Sequence, residues 1–351
     1  MRAASRWGPA AAVAALLVMA GPSLAAAPPK PLFAAREPIR LTLSGPFGSI
    51  AAERPGVERP HPGTLTLQSP APETLAITLS ARGISRRREE NCTFPPLRIE
   101  FTGKPAEASL FSGQRRLKLV THCRPAVSFQ QHVLLEYAAY RLYGRLTPAS
   151  FNVRLATIDY ADRQGRPITS RLGFFIEDVD DVARRNGLRE LETEQEVAIS
   201  RLSAPDAARF ALFQVLVGNF DWSMRAARAG EPCCHNSRLI GAPGHARELV
   251  PVPYDFDQAG FVGAPYAMRP SDVEAATVGE RRYRGFCVHN AAAQAVAAEV
   301  TAGRPSLFAE LDAVPQLEDR TRRRALAYVG DFLDRIDGPD EVARLLRTCV
   351  G

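Results

Sequence analysis

Between Ile39 and Val120 the apolar residues recur at every second position in short runs: Leu41 and Leu43, Leu65 and Leu67, Leu75, Ile77 and Leu79, Leu97, Ile99 and Phe101, then Leu117 and Leu119. Proline and glycine clusters separate the runs. Such alternation lays one face of each strand on a core, and the punctuation supplies the turns, so the segment reads as an antiparallel sheet. From Ser128 to Tyr143 the spacing changes. Phe129, Val133, Leu134, Ala138 and Leu142 mark one buried face of a helix that ends at Gly144. Strands at Phe151–Tyr160 and Leu172–Ile176 follow, with Arg163-Gln164-Gly165 as a hairpin turn.

Helical patterns take over at Pro205–Val217, Ala291–Thr301 and Arg320–Ile336, with Ser203 as N-cap and Pro205 in the first turn of the first. The reading is α+β: a β-rich N-terminal lobe over residues 39–178 carrying one helix, and a helical C-terminal lobe over residues 179–351. Residues 218–283 form a connection too long for a plain loop, which marks them as a functional segment. With 46% hydrophobic residues over 351 positions, the chain can bury a full core and is neither disordered nor fibrous.

Arg2 and Arg6, an apolar run from Ala10 to Ala20 and the Ser23-Leu24-Ala25 triplet make residues 1–25 a secretory signal peptide cleaved after Ala25. Residues 26–38 are an extended, proline-rich leader. Export to the periplasm or beyond is expected, and no other segment is apolar enough to span a membrane. Without the two signal arginines, 42 basic residues face 38 acidic ones, scattered among each other, which excludes a nucleic-acid footprint. The Arg86-Arg87-Arg88 run reads as a solvated face. Six cysteines in an oxidising compartment favour disulfides. Cys92 and Cys123 flank a strand hairpin and are the preferred pair, while the adjacent Cys233 and Cys234 lack the spacing of zinc ligands.

Only three of the 44 basic residues are lysines, Lys30, Lys104 and Lys118, and Lys118 alone lies on an apolar strand. Eighteen residues later Glu136 lies on the helix. In the long connection three segments place polar groups after apolar stretches: Gly218-Asn219-Phe220-Asp221-Trp222, His235-Asn236 and Tyr254-Asp255-Phe256-Asp257. In an extended segment Asp255 and Asp257 face one way, and with an Asn amide oxygen they offer hard donors suited to magnesium. The order Lys118, Glu136, Asp221, Asn236, Asp255 is that of phosphoryl-transfer machinery: a phosphate lysine, its glutamate, a base, and two metal ligands. Trp222 reads as a core aromatic, and Glu177 to Asp181 as an acidic helix start. No HExxH or GxSxG motif is present, which disfavours hydrolase chemistry.

At these residues the chain resembles the spore-coat protein H (CotH) kinase family, from about Ala81 to Ala267. Arg82-Gly83-Ile84-Ser85-Arg86 looks like the family's RGxS loop and Gly173-Phe174-Phe175-Ile176-Glu177 like its strand ending in glutamate. The Asp221 and Asp255 segments look like its two diagnostic motifs. The resemblance implies a two-lobed protein-kinase-like fold that uses Mg2+ with ATP or another nucleotide to phosphorylate a protein or small-molecule hydroxyl. Asp221 would be the catalytic aspartate, Asn236 and Asp255 metal ligands with Asp257 beside them, and Glu177 a hinge residue near the nucleotide. Arg82 and Gly83 would cover the phosphates in place of the absent GxGxxG loop. Order and spacing put Lys118 and Glu136 as the phosphate-anchoring pair, with Arg98 the rival to Lys118. Fifteen residues separate Asp221 from Asn236, a longer gap than kinases use, and Cys233-Cys234 falls within it. Because exported proteins meet little ATP, the alternative is a catalytically silent binding or envelope protein.

Overall fold

A computed structural model describes residues 27–53, 55–191, 196–227, 233–268 and 281–351. The signal segment and its cleavage site lie outside the described residues. Seven strands come first: β1 (Ile39–Ser44), β2 (His61–Ser69), β3 (Glu73–Ala81), β4 (Leu97–Phe101), β5 (Arg116–Val120), β6 (Val153–Ala161) and β7 (Pro167–Ile176). They close into a barrel in the order β1-β2-β3-β4-β5-β7-β6. Closure comes from a parallel pairing of β1 with β6, Ile39 opposite Ala156 and Ser44 opposite Ala161. The expected two-lobed kinase-like fold with an antiparallel N-terminal sheet is therefore overturned. Alternation fixes which face a side chain takes but not the direction of the neighbouring strand. An open sheet would leave two bare edges, and closure removes both.

The alternating residues of the sequence fill the barrel: Leu41, Leu43, Leu65, Leu67, Ile77, Leu79, Leu97, Ile99, Leu117 and Leu119 are each 2% exposed or less. Lys118, between two of them, consequently projects outward. The leader is not an extended tail. Pro31–Ala34 forms a helical turn, α1, whose Leu32 and Phe33 join the barrel core. Lys30 pairs with Asp181 at 2.8 Å, and Arg154 donates to the Leu32 and Ala35 carbonyls. Two adjacent large apolar side chains among the prolines gain more from burial than the tail loses in freedom. A second short helix, α2 (Phe47–Ala51), follows β1.

Outside the barrel, α3 (Phe129–Leu146) shares a second core with Val120, Leu155, Phe174 and Ile176 on the outward faces of β5, β6 and β7. Gly173 lets β7 approach β5 closely, since a Cβ there would sit 2.6 Å from the Val120 carbonyl oxygen. The same core takes in α4 (Val179–Arg185), α5 (Ala204–Val217), α6 (Asn290–Ala302), α7 (Arg304–Asp312), α8 (Asp319–Asp334) and α9 (Pro339–Leu346). Asp178 caps α4 by accepting from the Asp180 N–H, which accounts for the acidic run there. The long connection after α5 is not all loop: β9 (Ser237–Gly241) and β10 (Val250–Pro253) pair within it, and β8 (Arg189–Glu190) completes an antiparallel three-stranded sheet. The six cysteines form three close pairs, Cys92 with Cys123, Cys233 with Cys234 and Cys287 with Cys349.

Candidate functional site

The site begins where α5 stops. Gly218, in the left-handed region at φ 63°, caps the helix and turns the chain into Asn219. The Asn219 side-chain oxygen accepts from the Asp221 N–H at 3.0 Å, and its carbonyl accepts from the Trp222 indole at 2.8 Å. Trp222 is buried edge-on against Phe210, 5.2 Å between centroids, and so anchors the turn as a core aromatic. That anchoring fixes the Asp221 backbone.

The fifteen-residue gap between Asp221 and Asn236 closes in space. Asn236 Nδ2 donates to the Asp221 carbonyl at 2.7 Å and to its Oδ2 at 3.1 Å, while His235 Nε2 stands 2.7 Å from Oδ1. Both carboxylate oxygens of Asp221 are thus engaged. With Nδ2 spent on Asp221, the Asn236 side-chain oxygen is left for another partner. Asn236 also accepts the Tyr254 N–H at its carbonyl, 3.2 Å away, and the Tyr140 hydroxyl oxygen on α3 accepts the Asp255 N–H at 2.8 Å. Asn236 and Asp255 both take left-handed backbones, φ 50° and 64°. Non-glycine residues adopt that region at a cost, most cheaply as Asn or Asp, and such outliers cluster at functional sites. The Asp255 segment is consequently not extended as expected, yet Asp255 and Asp257 still line one cleft.

That cleft, about 440 Å3, is lined by Arg82, Gly83, Ser85 and Arg86 as well as by Glu136, Asp221, His235, Asn236, Asp255 and Asp257. Arg86 and Arg87, expected on a solvated face, are 7% and 8% exposed. Arg86 donates to the Thr121 carbonyl at 2.6 Å and faces Glu136 at 3.7 Å. Glu136 therefore stands against Arg86, and the structure does not bring it together with Lys118. Burial pushes the Glu136 carboxyl up to about 8 against the pull of Arg86. Burial, followed by the charge of Asp255, pushes Asp257 up to about 7.

Lys118 reaches the site through Tyr254, its Nζ 4.9 Å from the ring centroid, where the Arg238 guanidinium also lies 5.3 Å away. Burial lowers the Lys118 ammonium to about 7, and Arg82 and Arg238 add to the effect. Arg98 lies opposite Lys118 in the strand register and pairs with Glu58 at 3.0 Å. Glu177 lies outside the cleft, fully buried, holding Arg185 through two contacts of 2.9 Å and accepting the Asn152 N–H. Sequence reading gave no role to Arg86 or His235. For His235 the signal was adjacency to Asn236, and for Arg86 it was the last position of the RGxS segment.

Among the described residues no group of three His, Cys, Asp or Glu side chains stands close enough to hold a metal ion unaided. Magnesium binds through one or two carboxylates and completes its shell with water and phosphate oxygens. The Asn236 amide oxygen and the Asp255 and Asp257 carboxylates, which line one cleft, are donors of that kind.

No family model matches the chain, and no curated protein matches it. Among solved structures it is similar to the Helicobacter pylori proinflammatory kinase CtkA, at 6% identity and a TM-score of 0.40 over 73% of this chain and 92% of that one. A likeness that loose carries no argument, and the CotH resemblance rests on the motifs alone.

Proposed function

We propose that the chain is a phosphotransferase that moves a phosphoryl group from a magnesium nucleotide to a hydroxyl of a protein or small molecule. The supporting observation is the meeting of Asp221, Asn236, Asp255 and Asp257 with Arg82 and Arg86 in one cleft. Asp221, held on both oxygens by His235 and Asn236, takes the hydroxyl proton as the acceptor oxygen bonds to phosphorus and the nucleotide leaves with the bridging electron pair. Arg82 neutralises phosphate charge, and its planar fork suits two phosphate oxygens at once. Lys118 adds a second cation through the Tyr254 wall, and Glu136 positions Arg86. Asn236, Asp255 and Asp257 would hold magnesium, which neutralises the transferring phosphates when bound. Glu177 takes no part in this scheme. The N-terminal segment supports a place in the periplasm or outside the cell, with a delivered donor. All the carboxylates and the amide that the chemistry needs are retained, which favours this reading over a silent binding module.

The test is the melting temperature of the mature chain with and without magnesium and a panel of nucleotides, in wild type and Asp255→Ala. A ligand that binds only the folded state raises the midpoint, so a rise in wild type that vanishes in the variant is expected. No rise with any nucleotide sinks the proposal.

A further inference from the structure

Away from the cleft, four arginines meet around a pocket of about 110 Å3: Arg36 after α1, Arg141 and Arg145 one turn apart on α3, and Arg185 at the end of α4. Among the described residues no acidic side chain lines it. Three of the four converge on a single carboxylate, Glu310 of α7, with Arg141 Nε at 2.7 Å, Arg36 Nη1 at 3.4 Å and Arg145 Nε at 3.9 Å. Arg185 is matched by Glu177. Among the described residues the four guanidiniums stand against the carboxylates of Glu310 and Glu177, with Glu37 accepting the Arg36 backbone N–H at 3.1 Å, so positive charge remains in excess. Only Arg141 meets Glu310 at close range, so Arg36 and Arg145, with side chains 63% and 41% exposed, keep unspent N–H donors.

We propose that this pocket is a binding site for a small tetrahedral oxyanion of the inorganic phosphate or sulfate type. Guanidinium forks match such ions in geometry as well as charge, and the volume admits one ion with its first waters. The walls are set from several directions, by the chain after α1, by α3 and by α4, so the arginines are held in register by the fold rather than by one flexible segment. The pocket also adjoins the cleft. Tyr140, which lines it, accepts the Asp255 N–H at 2.8 Å, and Phe151, also on its wall, packs edge-on against Tyr254 at 6.0 Å. An ion here sits one residue away from the segment that carries Asp255.

Calorimetric titration of the mature chain with phosphate and with sulfate, against sodium chloride at equal ionic strength, tests the site. Saturable binding of both ions is expected. The double variant Arg36→Gln, Arg145→Gln should weaken it at least about tenfold, because each lost charge-assisted hydrogen bond is worth more than the free energy of a tenfold change. The pair Arg36→Lys, Arg145→Lys should recover part of the affinity, since charge remains while the fork is lost. Arg82→Gln, in the cleft, should leave this binding unchanged. Absence of saturable binding in wild type, undiminished binding in the double glutamine variant, or loss of binding in Arg82→Gln alone overturns the proposal.

Discussion

Glu136 and Arg86 face each other at 3.7 Å, both almost fully buried, in the wall of the cleft. Desolvation outweighs the attraction of the guanidinium, and the glutamate holds its proton up to about pH 8. A neutral isostere then resembles the native group. Glu136→Gln should cost less than about 1 kcal/mol in urea unfolding at or below pH 4.5, where the carboxyl is largely neutral in folded and unfolded chain alike, against the roughly 3–5 kcal/mol that follows loss of one partner from a fully charged buried pair. The sign with pH is fixed: a carboxyl whose folded value is raised stabilises below its unfolded value near 4.5 and loses that contribution as pH rises through about 8. The variant should therefore gain on wild type steadily from pH 4.5 to 8. A constant difference across that window contradicts the assignment.

His122 supplies the opposite slope. Its ring stacks on Phe94 at 4.4 Å, and burial, with Arg171 and Arg86 nearby, lowers it from the usual 6.5 to about 4. Between those values the unfolded chain takes up a proton that the folded chain refuses, so stability falls as pH drops, by on the order of 3 kcal/mol in total. His122→Phe keeps the stacking and should abolish this slope between pH 6.5 and 4. If the variant and wild type lose stability in parallel over that range, His122 is not the titrating group.

Lys118 should be the most reactive amine near neutrality. Its ammonium is lowered to about 7, so a large share is in the nucleophilic form, whereas Lys104 is exposed and Lys30 is paired with Asp181. With three lysines in the chain, peptide mass spectrometry after brief treatment with a small amine-reactive ester at pH 7 gives an unambiguous ranking. Label is expected on Lys118 first. Modification of Lys104 ahead of it, with Lys118 reacting only above pH 9, would reverse the conclusion.

For catalysis, variants of Asp221 and of its partner His235 should separate binding from transfer. Asp221→Asn should keep the nucleotide-dependent melting shift while slowing phosphoryl transfer by at least about 10²-fold, the usual range for removal of a general base. His235→Gln should give a smaller loss in kcat with KM unchanged, because its ring contacts Asp221 Oδ1 and orients the carboxylate. Equal transfer rates in Asp221→Asn and wild type exclude Asp221 as the base.

The inside of the barrel could be read directly, because Leu41, Leu65, Ile77, Leu97 and Leu117 mark a period of two that only a half-buried strand uses. The pairing of β1 with β6 could not, because parallel and antiparallel neighbours impose the same alternation and the partners are far apart in the chain. In the site, Asp221, Asn236 and Asp255 stood out as polar groups closing apolar elements. The identity of the cation beside Glu136 was hidden: Lys118 fits by order and spacing, but Arg86, buried directly after the more exposed RGxS turn, takes that place instead. Charge-run arguments failed there as well, since Arg86 and Arg87 are buried and donate to the Thr121 and Val57 carbonyls. The leader misled in the other direction, its prolines drawing attention from Leu32 and Phe33.

Because β1 is hydrogen-bonded on one side to β2 and on the other to β6, its second edge has no native partner until the chain has been made as far as Ala161. Everything between, including α3 with Tyr140 and the Lys118 strand, must be present before the ring can shut. A truncated chain ending before β6 would therefore expose a bare strand edge that pairs with whatever strand comes next.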